Sequence, residues 1–226
     1  MKFIIIGLGN FGAALSKNLT NLGHEVIGVD VDFNKVEALK NDIYSTICID
    51  PKDTNALRSL PLKDADVVIV AIGEDFGASV MITAQLKHHF KVKRLVSRSI
   101  SPLHKMVLEA IGVDEIISPE KESADRFAKK LELRGFIDSF ELSDEYNIIE
   151  VRIPERYIGV SLKEINLRKD YNIILITIMR QEGRREDSEI TRPRAMGVIP
   201  PETVFKKGDI LVLYGMTSDV KRFLEG

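Results

Sequence analysis

The sequence predicts an α/β domain built on a doubly wound parallel sheet, followed by a smaller α+β lobe. Three observations carry that expectation. Short apolar, β-rich runs alternate with helical patterns over the first two-thirds of the chain. A glycine-rich hexamer follows the first run directly. The alternation stops after Pro119, where strands come to dominate. Runs such as Val67–Val70, apolar at every position, suit strands covered on both faces. Strand–helix alternation of this kind implies right-handed βαβ units.

Taken in order, strands are expected at Phe3–Ile6, Val26–Val29, Thr46–Ile49, Val67–Val70, Arg94–Val96 and Glu115–Ile117. Helical spacing puts Ala14, Leu15, Leu19 and Leu22 on one face. It groups Val80, Ala84 and Lys87 on a second helix, and Leu103, Val107, Leu108 and Ile111 on a third. Gly23, Gly73 and Gly112 fall where helices or strands must end. After Pro119, Ala124, Phe127, Ala128 and Leu131 form an apolar stripe on a helix running to about Arg134, with Gly135 to stop it. Strands then follow at Ser139–Leu142, Ile148–Ile153, Ile173–Met179 and Ile210–Tyr214, with short helices near Ser161–Leu167 and Ser218–Leu224. The charged stretch from Gln181 to Pro193 reads as a hairpin tip. The division is expected near Gly135–Ser139, giving domains 1–135 and 136–226.

Bulk properties narrow the function. With 44% hydrophobic and 29% charged residues the chain can bury a core. A net charge of -2 carries no basic excess, so nucleic acid is not an expected partner. No apolar run approaches the roughly 18 residues that span a bilayer, and Phe3–Ile6 is too short for a signal peptide. A cytoplasmic location is expected, with any membrane role exerted through a partner. The single cysteine, Cys48, excludes an intramolecular disulfide and reads as a small buried hydrophobe.

Gly7-Leu-Gly-Asn-Phe-Gly12 fits the G-x-G-x-x-G pattern. Alone the hexamer is weak. Here it follows an apolar strand, opens an amphipathic helix and precedes Val26-Ile-Gly-Val-Asp30, the context of a Rossmann-type dinucleotide site. Gly7 permits the tight turn, Gly9 lets backbone approach a diphosphate, and Gly12 lets helix and strand pack closely. Asn10 and Phe11 complete the loop, whose helix N-terminus presents N–H groups to phosphate. Asp30, 18 residues beyond Gly12, is placed to accept both ribose hydroxyls and disfavours a 2′-phosphate, hence NADP. Asp50 ends the third strand and either flanks the adenine or caps the next helix. Ala71, Ile72 and Gly73 end the fourth strand on the ligand side. Arg98, just past the fifth, either pairs with phosphate or is a solvated surface arginine. Glu120 and Glu122 suit a helix N-terminus. His88 and His89 are adjacent on a helix while His24 and His104 are distant, so the histidines read as surface or structural residues rather than a metal site.

A dehydrogenase would need a general acid or base in the second lobe. Residues 136–226 contain no histidine and no cysteine, and no nucleophile–base arrangement stands out in the chain. The nucleotide is therefore read as a signal that shifts conformational populations. An NAD-dependent oxidoreductase with an atypical small lobe is the alternative.

Several segments together resemble one family. Met1 to Gly12, Gly23-His-Glu-Val26, Val29-Asp30, Val70-Ala-Ile-Gly73, Leu108-Glu-Ala-Ile-Gly-Val-Asp114 and Ile116-Ile-Ser-Pro-Glu120 resemble the N-lobe of RCK (regulator of potassium conductance) subunits of Ktr and Trk transporters. Ile158-Gly-Val-Ser-Leu162, Pro200 and Lys207 to Gly215 resemble their C-lobe. The resemblance implies a non-enzymatic, cytosolic gating-ring subunit, peripheral at the inner face of the membrane. It implies a homodimer assembling into an octameric ring beneath a membrane-embedded potassium transporter subunit. It further implies that ATP/ADP or NAD/NADH binds the N-lobe, that Arg98 contacts phosphate, and that the helix after Glu120 is a crossover helix between subunits. Glu120 is implied as a ligand for a divalent cation, Mg or Ca. The residue between the second and third glycines, often arginine in ATP-sensing members, is Asn10 here. Leu162, Ile165, Asn166, Arg168, Asn172 and Ile174 partly match a C-lobe site for cyclic di-AMP, with Lys163 standing where that site has an apolar residue.

Overall fold

The computed structural model describes residues 1–132, 135–143, 145–181 and 193–226. They form two compact units, Met1–Glu122 and Ser123–Gly226.

The first unit is a six-stranded parallel sheet of order β3-β2-β1-β4-β5-β6. Its strands are β1 (Lys2–Ile6), β2 (Glu25–Asp30), β3 (Ser45–Cys48), β4 (Val67–Val70), β5 (Leu95–Arg98) and β6 (Glu115–Ile117). Helices α1 (Asn10–Asn21), α2 (Phe33–Leu39), α3 (Thr54–Arg58), α4 (Phe76–Ala84) and α5 (Pro102–Ile111) connect them. The alternation of side chains along a strand divides β1 between two cores. Ile4 and Ile6 pack with Val68, Val70, Ile82 and Leu86, while Phe3 and Ile5 pack with Val26, Val36, Leu39 and Val67. Each such side chain contributes about 1.5–3 kcal/mol by leaving water. A parallel sheet sealed on both faces follows directly.

Local chemistry starts and stops the helices. Asp32, Asp53, Asp75 and Ser101 cap α2, α3, α4 and α5, accepting from the N–H groups of Asn34, Asn55, Ala78 and His104. Gly112, at φ +81°, ends α5 in the left-handed region. Helix α4 runs on into a π-helical turn, Gln85–Phe90, closed by left-handed Lys91.

Several expected faces are displaced. On α1 it is Gly12 and Ser16 that are buried, whereas Leu22 and Ala14 are exposed, because the helix lies closest to the sheet at its glycine. On α4, Ala78, Ser79, Ile82 and Thr83 face inward, so Val80 and Ala84 are only half-buried. On α5 the buried residues are His104 and Leu108, and Leu103 is exposed. Cys48 is exposed too: β3 is the sheet edge, and the thiol lies 3.6 Å from the Val31 carbonyl instead of in the core.

The second unit begins within α6 (Pro119–Glu132). The stripe of Ala124, Phe127, Ala128 and Leu131 on that helix is exposed. An antiparallel sheet of order β10-β9-β11-β8-β7 follows, made of β7 (Phe136–Glu141), β8 (Tyr146–Arg152), β9 (Ile174–Arg180), β10 (Arg194–Ala195) and β11 (Ile210–Met216). Most of the expected hairpin tip lies outside the described residues, but its flanks Arg180 and Arg194 pair. Helices α7 (Leu167–Tyr171) and α8 (Thr217–Glu225) cover one face, and Phe205, Phe223, Val220, Ile149, Val151 and Leu213 form the core. Arg180 meets the buried Asp209 carboxylate through Nε at 2.7 Å and Nη2 at 2.6 Å. That carboxylate also accepts from the Lys206 N–H.

Candidate functional site

Strand order reverses between β1 and β4, and a cavity of about 350 Å³ opens at the carboxyl ends of the strands there. Gly7, Gly9, Asn10, Phe11, Asp30, Asp50, Ala71, Ile72, Gly73, Arg98 and Glu120 all line it. Gly12 does not; it is buried beneath the loop.

The glycines divide the work. Gly7, at φ +99°, turns the chain out of β1. A Cβ on Gly12 would stand 1.9 Å from the Gly7 carbonyl oxygen, so only glycine lets α1 come this close. A Cβ on Gly9 would meet nothing within 4 Å. Gly9 is also the N-cap of α1 and supplies no side-chain cap, which leaves the first-turn N–H groups facing the cavity without a side-chain acceptor.

Asp30 is nearly buried, and its carboxylate is partly committed. Oδ2 accepts from the Leu8 N–H at 2.6 Å and Oδ1 from the Asp32 N–H at 2.9 Å. The residue thus ties the glycine loop to the end of β2, with lone pairs left over for a hydroxyl. Asp50 closes a turn by accepting from the Lys52 N–H at 2.9 Å, and Asp53, not Asp50, caps the following helix. Arg98 is no solvated surface arginine. Its side chain is 16% exposed, Nη1 donates to the Ala71 carbonyl at 3.3 Å, and Nη2 donates to Glu120.

Sequence reasoning did not single out Lys35, Lys52, Glu74 or Asp75, which also line the cavity. Lys35 sits one turn into α2, three residues after its cap, and Lys52 lies inside the Asp50 turn. The Asp32 cap and the Asp50 turn were the signals that could have placed them. His104 is buried at the start of α5 against Phe76, ring centroids 4.8 Å apart, and burial holds its imidazole below the usual histidine range. Its Nδ1 accepts from the Ile100 N–H at 3.4 Å.

Among the described residues no three His, Cys, Asp or Glu side chains gather as a metal site. Glu120 is a single carboxylate, and it is paired with Arg98. In the second unit, Leu162, Ile165, Asn166, Arg168 and Ile174 border an open hollow of about 490 Å³. Asn172 is not among them. It takes a left-handed φ of 56° and donates to Asp219 at 3.1 Å.

Fold and cavity together define a two-unit protein with a Rossmann-type first unit and a cavity at the switch point of its sheet. The TrkA-N domain family matches residues 3–119 and the TrkA-C domain family residues 148–225. Ktr system potassium uptake protein C of Bacillus subtilis is 33% identical over 222 residues, covering 98% of this chain and 95% of the relative. Ktr system potassium uptake protein A of the same organism is 32% identical over the same shares. The chain belongs to this TrkA family of Ktr and Trk potassium uptake proteins, and so to potassium transport rather than to the enzymes. Among solved structures, the GsuK channel bound to NAD superposes with a TM-score of 0.54 at 22% identity, over 98% of this chain and 37% of that one. The NAD(P)-binding domain of an exopolyphosphatase-related protein from Archaeoglobus fulgidus gives 0.51 at 27% identity, over 57% and 96%. No helix among the described residues is long and apolar enough to cross a membrane.

Proposed function

We propose that the chain is the cytoplasmic regulatory subunit of a potassium uptake system, binding an adenine nucleotide in the first-unit cavity to control a membrane-embedded potassium-translocating partner. One observation carries the reading. A glycine loop at a helix N-terminus, a carboxylate at the end of β2 and an arginine at the end of β5 line one cavity. Its size falls within the roughly 300–1,000 Å³ of small-molecule sites. The N–H groups and Arg98 suit phosphates, and Asp30 suits a ribose that carries no 2′-phosphate. Both ATP/ADP and NAD/NADH meet those requirements. A solved GsuK bound to ADP, 24% identical over 58% of this chain, shows the same fold. Asn10 brings no charge toward a terminal phosphate, which favours ligands recognised through their first two phosphates.

In this proposal the protein works at the inner face of the membrane as a homodimer assembled into an octameric ring. Asp30, Arg98 and the loop residues Gly7 to Gly12 form the nucleotide site. Glu120 would bind a divalent cation only together with ligands from a neighbouring subunit. The hollow of the second unit is the place for cyclic di-AMP, supported by the five residues gathered there.

Calorimetry on the purified chain with ATP, ADP, NAD and NADH tests the central claim. Micromolar to sub-millimolar binding of at least one is expected. Lack of binding by all four at millimolar levels would refute it. Mass measurement in solution with and without ligand tests the ring, and a single-chain mass in both conditions counts against it.

A further inference from the structure

Arg98 is a tightly held cation of the cavity. Its Nη1 donates to the Ala71 carbonyl, its Nη2 donates to Glu120, and its Cζ stands 5.7 Å from the ring centre of Phe11. Gly73 permits this posture, since a Cβ there would lie 2.6 Å from the guanidinium carbon. The two partners differ sharply in freedom. The Arg98 side chain is 16% exposed and Glu120 60%, so the carboxylate can swing into water while the guanidinium stays.

The geometry of the guanidinium sharpens the point. Nε and Nη2 form one edge of the fork, the kind of edge that takes a carboxylate or phosphate through two parallel hydrogen bonds. Glu120 engages that edge at Nη2, and among the described residues Nε is buried with no acceptor. A buried donor left unsatisfied is costly, and an incoming oxyanion that spans both nitrogens would relieve it. It would also have to share the site with the Glu120 carboxylate, at like-charge repulsion, or displace it.

We propose that Glu120 is a built-in competitor for the anionic group of the ligand: a phosphate takes the Nε–Nη2 edge of Arg98 and drives Glu120 off. Glu120 then sets the affinity for phosphate-bearing ligands. Because it lies in the first turn of α6, its release also marks occupancy on the helix that carries the chain out of the nucleotide unit. This inference rests on the nucleotide reading of the cavity. Linkage makes the competition reciprocal: whatever holds Glu120 elsewhere strengthens anion binding by the same factor.

The test compares the full-length protein with Glu120→Gln, Arg98→Met and the double variant, using calorimetry with ADP, inorganic pyrophosphate and adenosine. Glu120→Gln removes the charge at an exposed position and Arg98→Met keeps an apolar stem, so both are expected to fold; a thermal melt checks this. Exposed to half-buried ion pairs couple weakly, by up to about 1 kcal/mol, so Glu120→Gln should tighten ADP and pyrophosphate about two- to fivefold. Adenosine, which has no phosphate, should bind unchanged. In the Arg98→Met background, adding Glu120→Gln should alter ADP affinity less than about twofold, because the object of competition is gone. Unchanged or weaker ADP binding by Glu120→Gln overturns the proposal. So does tightening that persists without Arg98, which would mean that Glu120 merely repels phosphate directly. If the wild type binds none of ATP, ADP, NAD and NADH, the nucleotide reading fails and takes this inference with it. Wild-type binding of ADP with no response to Glu120→Gln overturns this inference alone.

Discussion

Substituting alanine at Gly9 and at Gly12 should produce opposite failures, although the two glycines are three residues apart in one loop. At Gly12 the new methyl would stand 1.9 Å from the Gly7 carbonyl oxygen, well inside the roughly 3.0 Å floor for such contacts, and a tight 3.3 Å from the Ala71 Cβ. Neither neighbour is the free end of a flexible side chain. Helix α1 must move off the sheet, and overpacking of this severity costs about 3 kcal/mol or more. For a chain of this size that corresponds to a drop of roughly 6–12 °C in the melting transition of the first unit. At Gly9 the backbone is already at φ -66° and the methyl meets nothing within 4 Å. Stiffening the unfolded chain gains about 0.4–1 kcal/mol, and losing glycine at an N-cap costs a few tenths to about 1 kcal/mol. The melting temperature should therefore stay within about 2 °C of wild type. The methyl does, however, project into the cavity where a diphosphate would approach, and nucleotide affinity should fall at least about tenfold, or ~1.4 kcal/mol. Scanning calorimetry paired with ADP and NAD titrations reads both effects. A Gly9→Ala protein that binds as the wild type does, or a Gly12→Ala protein that melts with it, would refute the division of roles.

Three further outcomes are expected. Asp30→Ala leaves the Leu8 and Asp32 N–H groups without their acceptor, so it should lower stability by about 2–3 kcal/mol as well as weakening nucleotide binding, whereas Asp30→Asn, which keeps one acceptor, should be milder. Arg180→Met strands the Asp209 carboxylate, 1% exposed, and should destabilise the second unit by about 3–5 kcal/mol in urea unfolding. His104 is held below its ordinary 6.5 by burial, so the unfolded chain takes up its proton first. Stability should then decline as pH falls from about 6.5 toward the folded value, and His104→Asn should flatten that segment of a melting-temperature profile. A parallel decline in the variant would show that other groups cause it.

Features with purely local physics were legible in the chain. β6 is seen at Glu115–Ile117 as expected, and the glycine loop sits between a strand and a helix as its spacing requires. Features set by neighbours were not. Cys48 reads as a core residue in isolation, and only the strand order reveals that β3 is an edge. Helices α2 and α3, at seven and five residues, are too short to display a 3.6-residue period; their aspartate caps were the available signal. Lys35 reaches the cavity from α2, and Lys52 from the Asp50 turn ahead of α3. The pairing of Arg98 with Glu120 joins the end of β5 to the start of α6, and no local pattern announces it. The burial of His104 likewise depends on Phe76, which α4 brings against it.

The double engagement of Asp30 has an evolutionary consequence. A lineage that moved from an unphosphorylated ribose to a 2′-phosphate would ordinarily begin by discarding this acid. Here the same step unfastens Leu8 and with it the glycine loop, so the first mutation along that path damages the scaffold before any new ligand can reward it. Only a replacement that keeps an acceptor for the Leu8 N–H, as asparagine would, spares that anchor. Ligand preference at this position is therefore guarded by epistasis, and a redesign of the pocket should start by replacing that anchor rather than the carboxylate itself.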